Sequence, residues 1–478
     1  MADVDFGDML DYLANDADTR AILLYIEGVT HARKFMSAAR AAARTKPVIV
    51  VKAGRHAAAA KAAASHTGAL AGVDAVYDAA FRRAGMLRVL TLEELFDAVE
   101  TLALARAPRG ERLAILTNGG GVGVMATDAL MDAGGTLATL SAETLAKLDA
   151  VLPATWSRAN PIDIIGDASA ERYTAALQAV LGAPEVDALL VLNCPTAVTS
   201  PDEAASAVLA ALPSPNKHSL FTSWVGGVGA APARARFRAA GVPTYDAPED
   251  AVRGFMQMVD YRRNQAALLE TPPSMPADFA PELGSARAII AVALAEQREW
   301  LSELEAKSIL ASFGIPTVAT RLATTPALAA EYAADIGGRV ALKIVSRDIT
   351  HKSDVGGVCL DLAASEVLAA AEAMTARVRE ARPDAHIEGY AVQAMISRPL
   401  AHELIVGVLD DHEFGPVLLF GAGGVAVEVL NDRALSLPPL NLKLAHDVIA
   451  RTRVAKLLAG YRQVPAADVE AIAVTLVR

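Results

Sequence analysis

Short apolar runs alternate with longer alanine-rich stretches over the first 270 residues of the chain. The runs are unbroken and rich in Leu or β-branched residues, as in parallel strands that are buried on both faces. The stretches between them are rich in strong helix formers, and Ala32–Ala43 is one predicted helix. The predicted strands are Ala21–Ile26, Lys46–Lys52, Leu113–Thr117, Ala188–Asn193 and Ser219–Trp224. This alternation of strand and helix predicts doubly wound α/β layers.

The pattern changes after the proline-rich segment Thr271–Pro276. The strands predicted beyond it are Val340–Val345, Tyr390–Ile396 and Glu403–Leu409, and the adjacency of the last two suggests an antiparallel pair. This region is therefore predicted to be α+β. The sequence predicts domains at 1–107, 108–270 and 285–478, with 271–284 as a linker.

Composition and charge exclude several classes of protein. The 478 residues carry a formal net charge of −11, so no overall positive field favours nucleic acid or an anionic membrane. No apolar run reaches the ~18 residues of a membrane-spanning helix, and Met1–Asp18 is acidic, unlike a signal peptide. Cys194 and Cys359 lie in no metal-binding or disulfide-type spacing. We therefore expect a cytoplasmic enzyme or binding protein.

Two loops in the first half could carry chemistry. An alanine-rich stretch predicts a helix over Ala57–Ala64, and Ser65–Gly72 after it places His66 among small residues. An imidazole there could act as a nucleophile. From spacing alone, however, a helix end or turn with His66 hydrogen-bonded to backbone is the favoured alternative. The segment Thr117–Ala126 fits a loose phosphate-loop template between a strand and a helix, with a plain tight turn as the alternative.

The second half offers three further candidates. Lys343 stands inside an apolar strand, where it would either meet a phosphate or pack its stem and reach solvent. Asp348–Val358 is a polar loop that contains His351 and reads alternatively as a surface turn. Phe420–Gly424, followed by Glu428, is an anion loop or a hairpin turn.

One further candidate, Glu27, lies in the first half at the carboxyl end of a predicted strand. Open α/β sheets bind ligands at such ends. The alternative is an ordinary solvated carboxylate.

Four of these segments together resemble the ADP-forming acyl-CoA synthetases of the succinyl-CoA synthetase superfamily, and most closely the acetate–CoA ligases. The segments are Ser65–Gly72, Thr117–Gly123, Leu342–Val345 with Ile349–Val358, and Phe420–Glu428. The resemblance implies two flavodoxin-like sheets followed by an ATP-grasp domain. It also implies interconversion of acyl-CoA, ADP and phosphate with carboxylate, CoA and ATP through an acyl phosphate and a phosphohistidine.

The resemblance also implies roles for individual residues. His66 matches the phosphorylated histidine, Glu27 the carboxylate that steadies it, and His351 a second relay histidine. Lys343 matches the lysine on the nucleotide phosphates. The phosphate-binding loop of the phosphohistidine site is implied to comprise Asn118, Gly119, Gly120, Gly121 and Gly123. The nucleotide contacts are implied to comprise Gln393 and Met395 at the adenine hinge and Glu403 at the ribose.

The chain also departs from the pattern of the relatives. From the resemblance we expect the N-terminal CoA-binding domain and the C-terminal segment with the magnesium ligands to be missing here. We therefore expect an incomplete ATP-grasp domain and no metal ligands in this chain. The implied cofactors and substrates are ATP/ADP, Mg²⁺, CoA, phosphate and a small carboxylic acid. The implied partners are further copies of the chain, or a fused or separate CoA-binding domain.

The alternative function is a non-catalytic sensor of acyl-CoA or nucleotide in a protein N-acetyltransferase, because some relatives are fused to an N-acetyltransferase domain.

Overall fold

The computed structural model describes residues 3–56, 73–197, 199–214, 217–270, 279–349, 351–424 and 431–478. The chain divides into two compact units. Unit one comprises Met1–Thr271, Val408–Leu418 and Leu435–Pro438, and unit two comprises Pro272–Gly407, Leu419–Ala434 and Pro439–Arg478. The first two predicted domains therefore share one compact unit. The helix predicted over Ala57–Ala64 lies outside the described residues.

Unit one begins with a small parallel sheet. Its elements are α1 (Phe6–Asn15), β1 (Ile22–Ile26), α2 (Ala32–Thr45), β2 (Val48–Lys52), α3 (Asp74–Arg83), β3 (Leu87–Val89) and α4 (Leu92–Leu104). The strand order is β1-β2-β3. Each strand is added on the same side as the one before, so the described part lacks the reversal of a doubly wound sheet. Buried side chains still cover both faces, as the continuous apolar runs predict.

A larger parallel sheet follows in the same unit. Its first elements are β4 (Arg112–Thr117), α5 (Gly120–Asp132), β5 (Thr136–Leu137), α6 (Ala142–Val151), β6 (Ile162–Asp163) and α7 (Ala170–Val180). The rest are β7 (Ala188–Asn193), α8 (Pro201–Ala211), β8 (Leu220–Trp224), α9 (Gly227–Ala239), β9 (Thr244–Tyr245) and α10 (Pro248–Leu269). The order β5-β4-β7-β8-β9, with β6 also paired to β4, reverses beside β4. This sheet is doubly wound, and clusters of buried side chains cover its two faces.

Unit two contains a four-stranded antiparallel sheet with helices. Its elements are α11 (Leu283–Ala295), α12 (Glu303–Ser312), β10 (Thr320–Ala323), α13 (Pro326–Ile336), β11 (Val340–Val345), β12 (Val358–Leu362), α14 (Val367–Ala381) and β13 (Gly389–Ala394). The order is β10-β13-β11-β12. Helices α13 and α14 bury one face of it through alternate strand residues such as Leu342 and Val392. The other face carries the polar side chains of Thr320, Lys343 and Gln393 beside buried alanines.

The remaining elements end the chain. They are β14 (Leu404–Asp411), β15 (Gly415–Ala422), β16 (Arg433–Ser436), α15 (Leu442–Ala450), α16 (Val454–Leu458) and α17 (Val469–Val477). The suggested antiparallel pair of Tyr390–Ile396 with Glu403–Leu409 is wrong, because β10 and β11 already occupy both edges of β13. The strand β14 pairs instead with β15. Helix α11 begins at Leu283, inside the predicted linker 271–284.

None of the helices among the described residues combines the length and apolarity needed to cross a membrane.

Candidate active site

Glu27 lies directly after β1, at the carboxyl edge of the first sheet. Its Oε1 accepts a hydrogen bond of 3.3 Å from the hydroxyl of Tyr25. Its Oε2 is buried and has no hydrogen-bond partner among the described residues. A buried carboxylate oxygen without a donor is costly, so this atom is suited to accept an N–H from a further group. His66 lies outside the described residues, and the implied contact between the two stays a prediction.

A buried lysine lies at the same carboxyl edge of the first sheet. Lys52 ends β2 in register with Ile26, and it is 2 % exposed. Its Nζ donates to the carbonyl of Ala53 at 2.6 Å and lies 4.6 Å from the ring centroid of Tyr77. The hydroxyl of Tyr77 accepts the N–H of Val29, two residues after Glu27, at 2.9 Å. Burial lowers the pKa of Lys52, and sequence reasoning missed this residue because it reads as the end of an apolar strand.

The glycine-rich loop forms the start of α5. Gly119 is the N-cap, and Gly120 and Gly121 are exposed. The first turn of a helix leaves backbone N–H groups without intrahelical partners and carries a partial positive charge, which suits an anion. The glycines also serve packing, because a Cβ on Gly119 would lie 2.6 Å from the Sγ of Cys194. The loop therefore has features of both the anion site and the tight turn.

Asn118 is a support of this loop. Its side chain is 3 % exposed, its Nδ2 donates to the carbonyl of Cys194 at 2.9 Å, and its Oδ1 accepts the N–H of Cys194 at 2.7 Å. The amide thus joins the ends of β4 and β7. Sequence reasoning also missed Asp163, whose Oδ2 lies 2.8 Å from the place of a Cβ on Gly120. A carboxylate therefore stands beside the start of α5.

Replacing Asn118 by alanine is expected to lower the free energy of unfolding by about 2 kcal/mol, because the part-buried N–H and C=O of Cys194 lose their partners. Urea titration of the full chain, followed by circular dichroism, measures this. Asn15→Ala is the matched control, since the Asn15 amide makes one exposed bond to the carbonyl of Asp11. Equal stability of the two variants would contradict the support role.

The second group of predicted residues lies on the polar face of the unit-two sheet. Register pairs Lys343 with Ala391, and Gln393 with Ala341 and Thr320. Paired residues of neighbouring strands share a face, so all five side chains lie opposite the buried face. The two alanines leave room between the polar side chains. The small side chains of Ala341 and Ala391 thus explain how Lys343 is accommodated within β11.

Helix α12 adds a carboxylate and a second lysine to this face. The Oε1 of Glu303 accepts a bond of 2.7 Å from the Nζ of Lys343 and lies 3.1 Å from that of Lys307. The Oε2 lies 3.3 Å from the Nζ of Lys352. Burial raises the pKa of Glu303, but the bonds from Lys343 and Lys307 and the charge of Lys352 outweigh it and hold the pKa at about 2. We call Glu303, Lys307, Lys343 and Lys352 the lysine cluster.

Lys307 links the cluster to Gln393. Its Nζ donates to the Oε1 of Gln393 at 2.6 Å and to the Oγ1 of Thr320 at 2.7 Å. The side-chain oxygen of Gln393 is thereby engaged inside the protein. Met395, directly after β13, donates its N–H to the carbonyl of Arg339 at 2.9 Å. The implied roles of Gln393 and Met395 at the adenine stay predictions.

His351 lies next to the cluster in sequence. It is exposed and precedes the short 3₁₀ turn Lys352–Val355. Glu303 and Lys352 also line a cleft of about 650 Å³ whose walls include Trp300, Leu301 and Ile349. Volumes of this order are typical of small-molecule sites. The polar loop around His351 therefore borders a cleft.

The glycines after Phe420 serve close approach of chain segments. A Cβ on Gly421 would lie 2.2 Å from the carbonyl oxygen of Asp432. Gly423 donates its N–H to the carbonyl of Glu403 at 2.8 Å. Phe420–Ala422 are the last residues of β15, and both the anion-loop and the hairpin-turn interpretations of the segment stay predictions. The side chain of Glu403 is exposed, its role at the ribose stays a prediction, and Glu428 lies outside the described residues.

The structure groups some predicted residues and leaves others apart. Lys343 and Gln393 belong to one network, whereas no hydrogen bond or ion pair between described residues joins Glu27 to the glycine loop. Within the described ranges, no three His, Cys, Asp or Glu side chains are grouped as a metal site. The cluster that results is cationic, and phosphate groups are the anions that suit it.

Comparison with known families divides the chain into three matched regions. Residues 1–102 match the succinyl-CoA ligase like flavodoxin domain, residues 113–216 the ligase-CoA domain, and residues 292–478 the ATP-grasp domain. The ATP-grasp match extends to Arg478, so the expectation of an incomplete domain finds no support. None of the three matched domains is an acetyltransferase, and the sensor alternative is not favoured.

Individual relatives agree with this division. Acetate–CoA ligase [ADP-forming] I of Archaeoglobus fulgidus is 38 % identical over 475 residues, 99 % of this chain and 67 % of that protein. In Pyrococcus furiosus the alpha subunit of acetate–CoA ligase [ADP-forming] I is 41 % identical over 55 % of this chain and 57 % of that subunit. The beta subunit there is 38 % identical over 41 % of this chain and 84 % of that subunit.

A solved structure is also similar. The dinucleotide-forming acetyl-coenzyme A synthetase 1 of Candidatus Korarchaeum cryptofilum, in complex with phosphate and ADP, aligns with a TM-score of 0.53 and 37 % identity. The alignment covers 56 % of this chain and 60 % of that chain. The identity to the A. fulgidus ligase over almost the whole chain decides the family. This chain belongs to the ADP-forming acetate–CoA ligases, a family of acid–thiol ligases.

Proposed function

We propose that this chain carries out phosphoryl transfer between an acyl phosphate and ADP through His66, as part of an ADP-forming acetyl-CoA synthetase. The single observation that carries the proposal is the lysine cluster, in which three ammonium groups meet one carboxylate where α12 packs on the sheet. The excess of positive charge suits the phosphates of a nucleotide. Acetate is the proposed acid because the A. fulgidus relative is named for it.

The proposed reaction has three steps. Phosphate attacks the thioester carbonyl of acetyl-CoA, the C–S bond breaks, and CoA leaves as its thiol with acetyl phosphate formed. A neutral ring nitrogen of His66 then attacks the phosphorus, and acetate leaves. Finally, a terminal phosphate oxygen of ADP attacks the phosphohistidine, which yields ATP and restores the imidazole. A nucleophilic imidazole needs its other nitrogen to hold the proton.

The described residues supply support for the histidine step. The unpartnered Oε2 of Glu27 is suited to accept the N–H of an imidazole and so to fix the tautomer. The N–H groups at the start of α5 are suited to a phosphoryl group. Phosphoryl transfer depends mainly on positioning and on neutralising charge, and both groups serve those ends.

The nucleotide step is assigned to unit two. Lys343 is proposed to contact the phosphates of ATP or ADP, because its Nζ belongs to the lysine cluster. His351 is proposed as a relay residue beside the same cleft. No step is derived through Mg²⁺, because the described residues contain no three-ligand group for it. A CoA-binding partner domain is proposed, because the P. furiosus relatives are divided into separate alpha and beta subunits.

Labelling from two donors tests this function. The purified chain is incubated with γ-labelled ATP in magnesium buffer and, separately, with labelled acetyl phosphate. Both donors are expected to give label that is acid-labile and base-stable, and peptide mapping should place it on His66. A folded chain that binds ATP but acquires no such label from either donor would contradict the relay.

A further inference from the structure

We infer that Glu303 and Lys307 are positioning residues that hold Lys343 and Lys352 as a ready-made pair of phosphate-binding groups. The inference rests on the proposed function, because it takes a nucleotide polyphosphate as the ligand of the lysine cluster. It adds two residues from α12 to a site that sequence reasoning assigned to β11 and β13 alone.

The carboxylate of Glu303 is the shared contact of the cluster. The three lysines come from different elements: Lys307 from α12, Lys343 from β11, and Lys352 from the 3₁₀ turn. Their Nζ atoms lie 3.1, 2.7 and 3.3 Å from the oxygens of Glu303. All four side chains are between 21 and 24 % exposed. A partly buried group of three cations is stable only with a counter-charge, and Glu303 supplies it.

Counting donors separates the roles of the lysines. An ammonium group has three N–H donors. Lys307 contacts Glu303, Gln393 and Thr320, so all of its donors are engaged within the protein. For Lys343 and Lys352, the contact to Glu303 is the one side-chain bond that the described residues show. Each of these two lysines therefore keeps two donors for a ligand. Lys352 lines the cleft together with Glu303, and the side chain of Lys343 is 24 % exposed.

This division explains why a carboxylate stands in a site for anions. Glu303 does not have to leave when a phosphate arrives, because it occupies one donor of each lysine. Without it, the ammonium groups repel one another and turn apart, so the phosphates meet an unformed site. The loss should grow with the number of phosphate groups on the ligand. A purely structural role would weaken all nucleotides alike.

Glu305 offers a matched control. It lies two residues further along α12, is similarly buried at 26 % exposure, and forms an ion pair with Arg298 at 2.8 Å. It also caps α12 by accepting the N–H of Ser302. Glu305→Gln removes the same charge from the same helix and, because Glu305 lines the same cleft, it shows what loss of a cleft carboxylate does without a contact to the lysine cluster.

Isothermal titration of the full-length wild type, Glu303→Gln and Glu305→Gln with ATP, ADP and AMP tests the inference. Glu303→Gln is expected to raise the Kd of ATP about 10-fold, that of ADP less, and that of AMP less than about 2-fold. Glu305→Gln should leave all three within about 2-fold. Circular dichroism reports whether each variant folds. If Glu303→Gln does not fold, Glu303→Asp replaces it, since aspartate keeps the charge on a shorter side chain. Glu303→Asp should lose less affinity, with the same ranking of ATP, then ADP, then AMP.

Two results would overturn the inference. One is a Kd for ATP that is unchanged in folded Glu303→Gln or Glu303→Asp. The other is equal weakening of ATP, ADP and AMP. A wild-type chain that does not bind ATP would instead reject the proposed function, so the two failures are distinguishable.

Discussion

Replacing His66 by asparagine is expected to abolish stable phosphoryl labelling of the chain from acetyl phosphate and to stop turnover. Asparagine keeps a polar side chain of similar size but has no nucleophilic ring nitrogen, so the covalent intermediate has no acceptor. Removing the nucleophile of a covalent mechanism typically costs several orders of magnitude in rate. The measurement is acid-labile, base-stable label per chain, with peptide mapping.

Two further histidines serve as comparisons. His56 is exposed and precedes the His66 motif by ten residues, so His56→Asn should label as the wild type does. If His351 relays phosphate, His351→Asn should lose labelling of His66 from ATP but keep labelling from acetyl phosphate. Full labelling of His66→Asn from acetyl phosphate would show that His66 is not the acceptor.

The sequence predicted those elements whose apolar run is itself the signal. The strands predicted over Ala188–Asn193 and Val340–Val345 have the same first and last residues in the structure. In a strand buried on both faces, the ends of the apolar run mark the ends of the strand. The strands β5, β6 and β9 have two residues each and carry no period. The pairing of β13 was mispredicted, because adjacency along the chain does not show that two other strands already occupy its edges.

The same reasoning explains what was predicted of the lysine cluster. A lysine within the apolar run Val340–Val345 is conspicuous, so the sequence alone indicates Lys343 as a candidate. Glu303 and Lys307 read as an ordinary i, i+4 pair in a capped helix. Their meeting with Lys343 depends on how α12 packs on the sheet, about forty residues away in sequence. The local sequence around Glu303 does not show how α12 packs on the sheet. The Glu303–Lys307 pair on a short helix is therefore at most a weak sign of a contact with Lys343.

Replacing Lys343 by methionine is expected to raise the Kd of ATP about 100-fold and to reduce labelling from ATP at least as much. Loss of charge-assisted bonds to phosphate costs about 3 kcal/mol, which corresponds to that factor. Methionine keeps an unbranched stem to pack beside Ala341 and Ala391, so β11 should persist. Titration calorimetry with ATP and the rate of labelling from γ-labelled ATP measure the effect.

The control is Lys456→Met, which removes one charge from an exposed position on α16 and should bind ATP as the wild type does. Labelling from acetyl phosphate gives an internal comparison, because that reaction does not need the nucleotide. It should stay unchanged in Lys343→Met, which would separate the nucleotide step from the histidine step. If Lys343→Met binds ATP with the affinity of the wild type, then Lys343 does not contact the phosphates, and the lysine cluster must serve another anion.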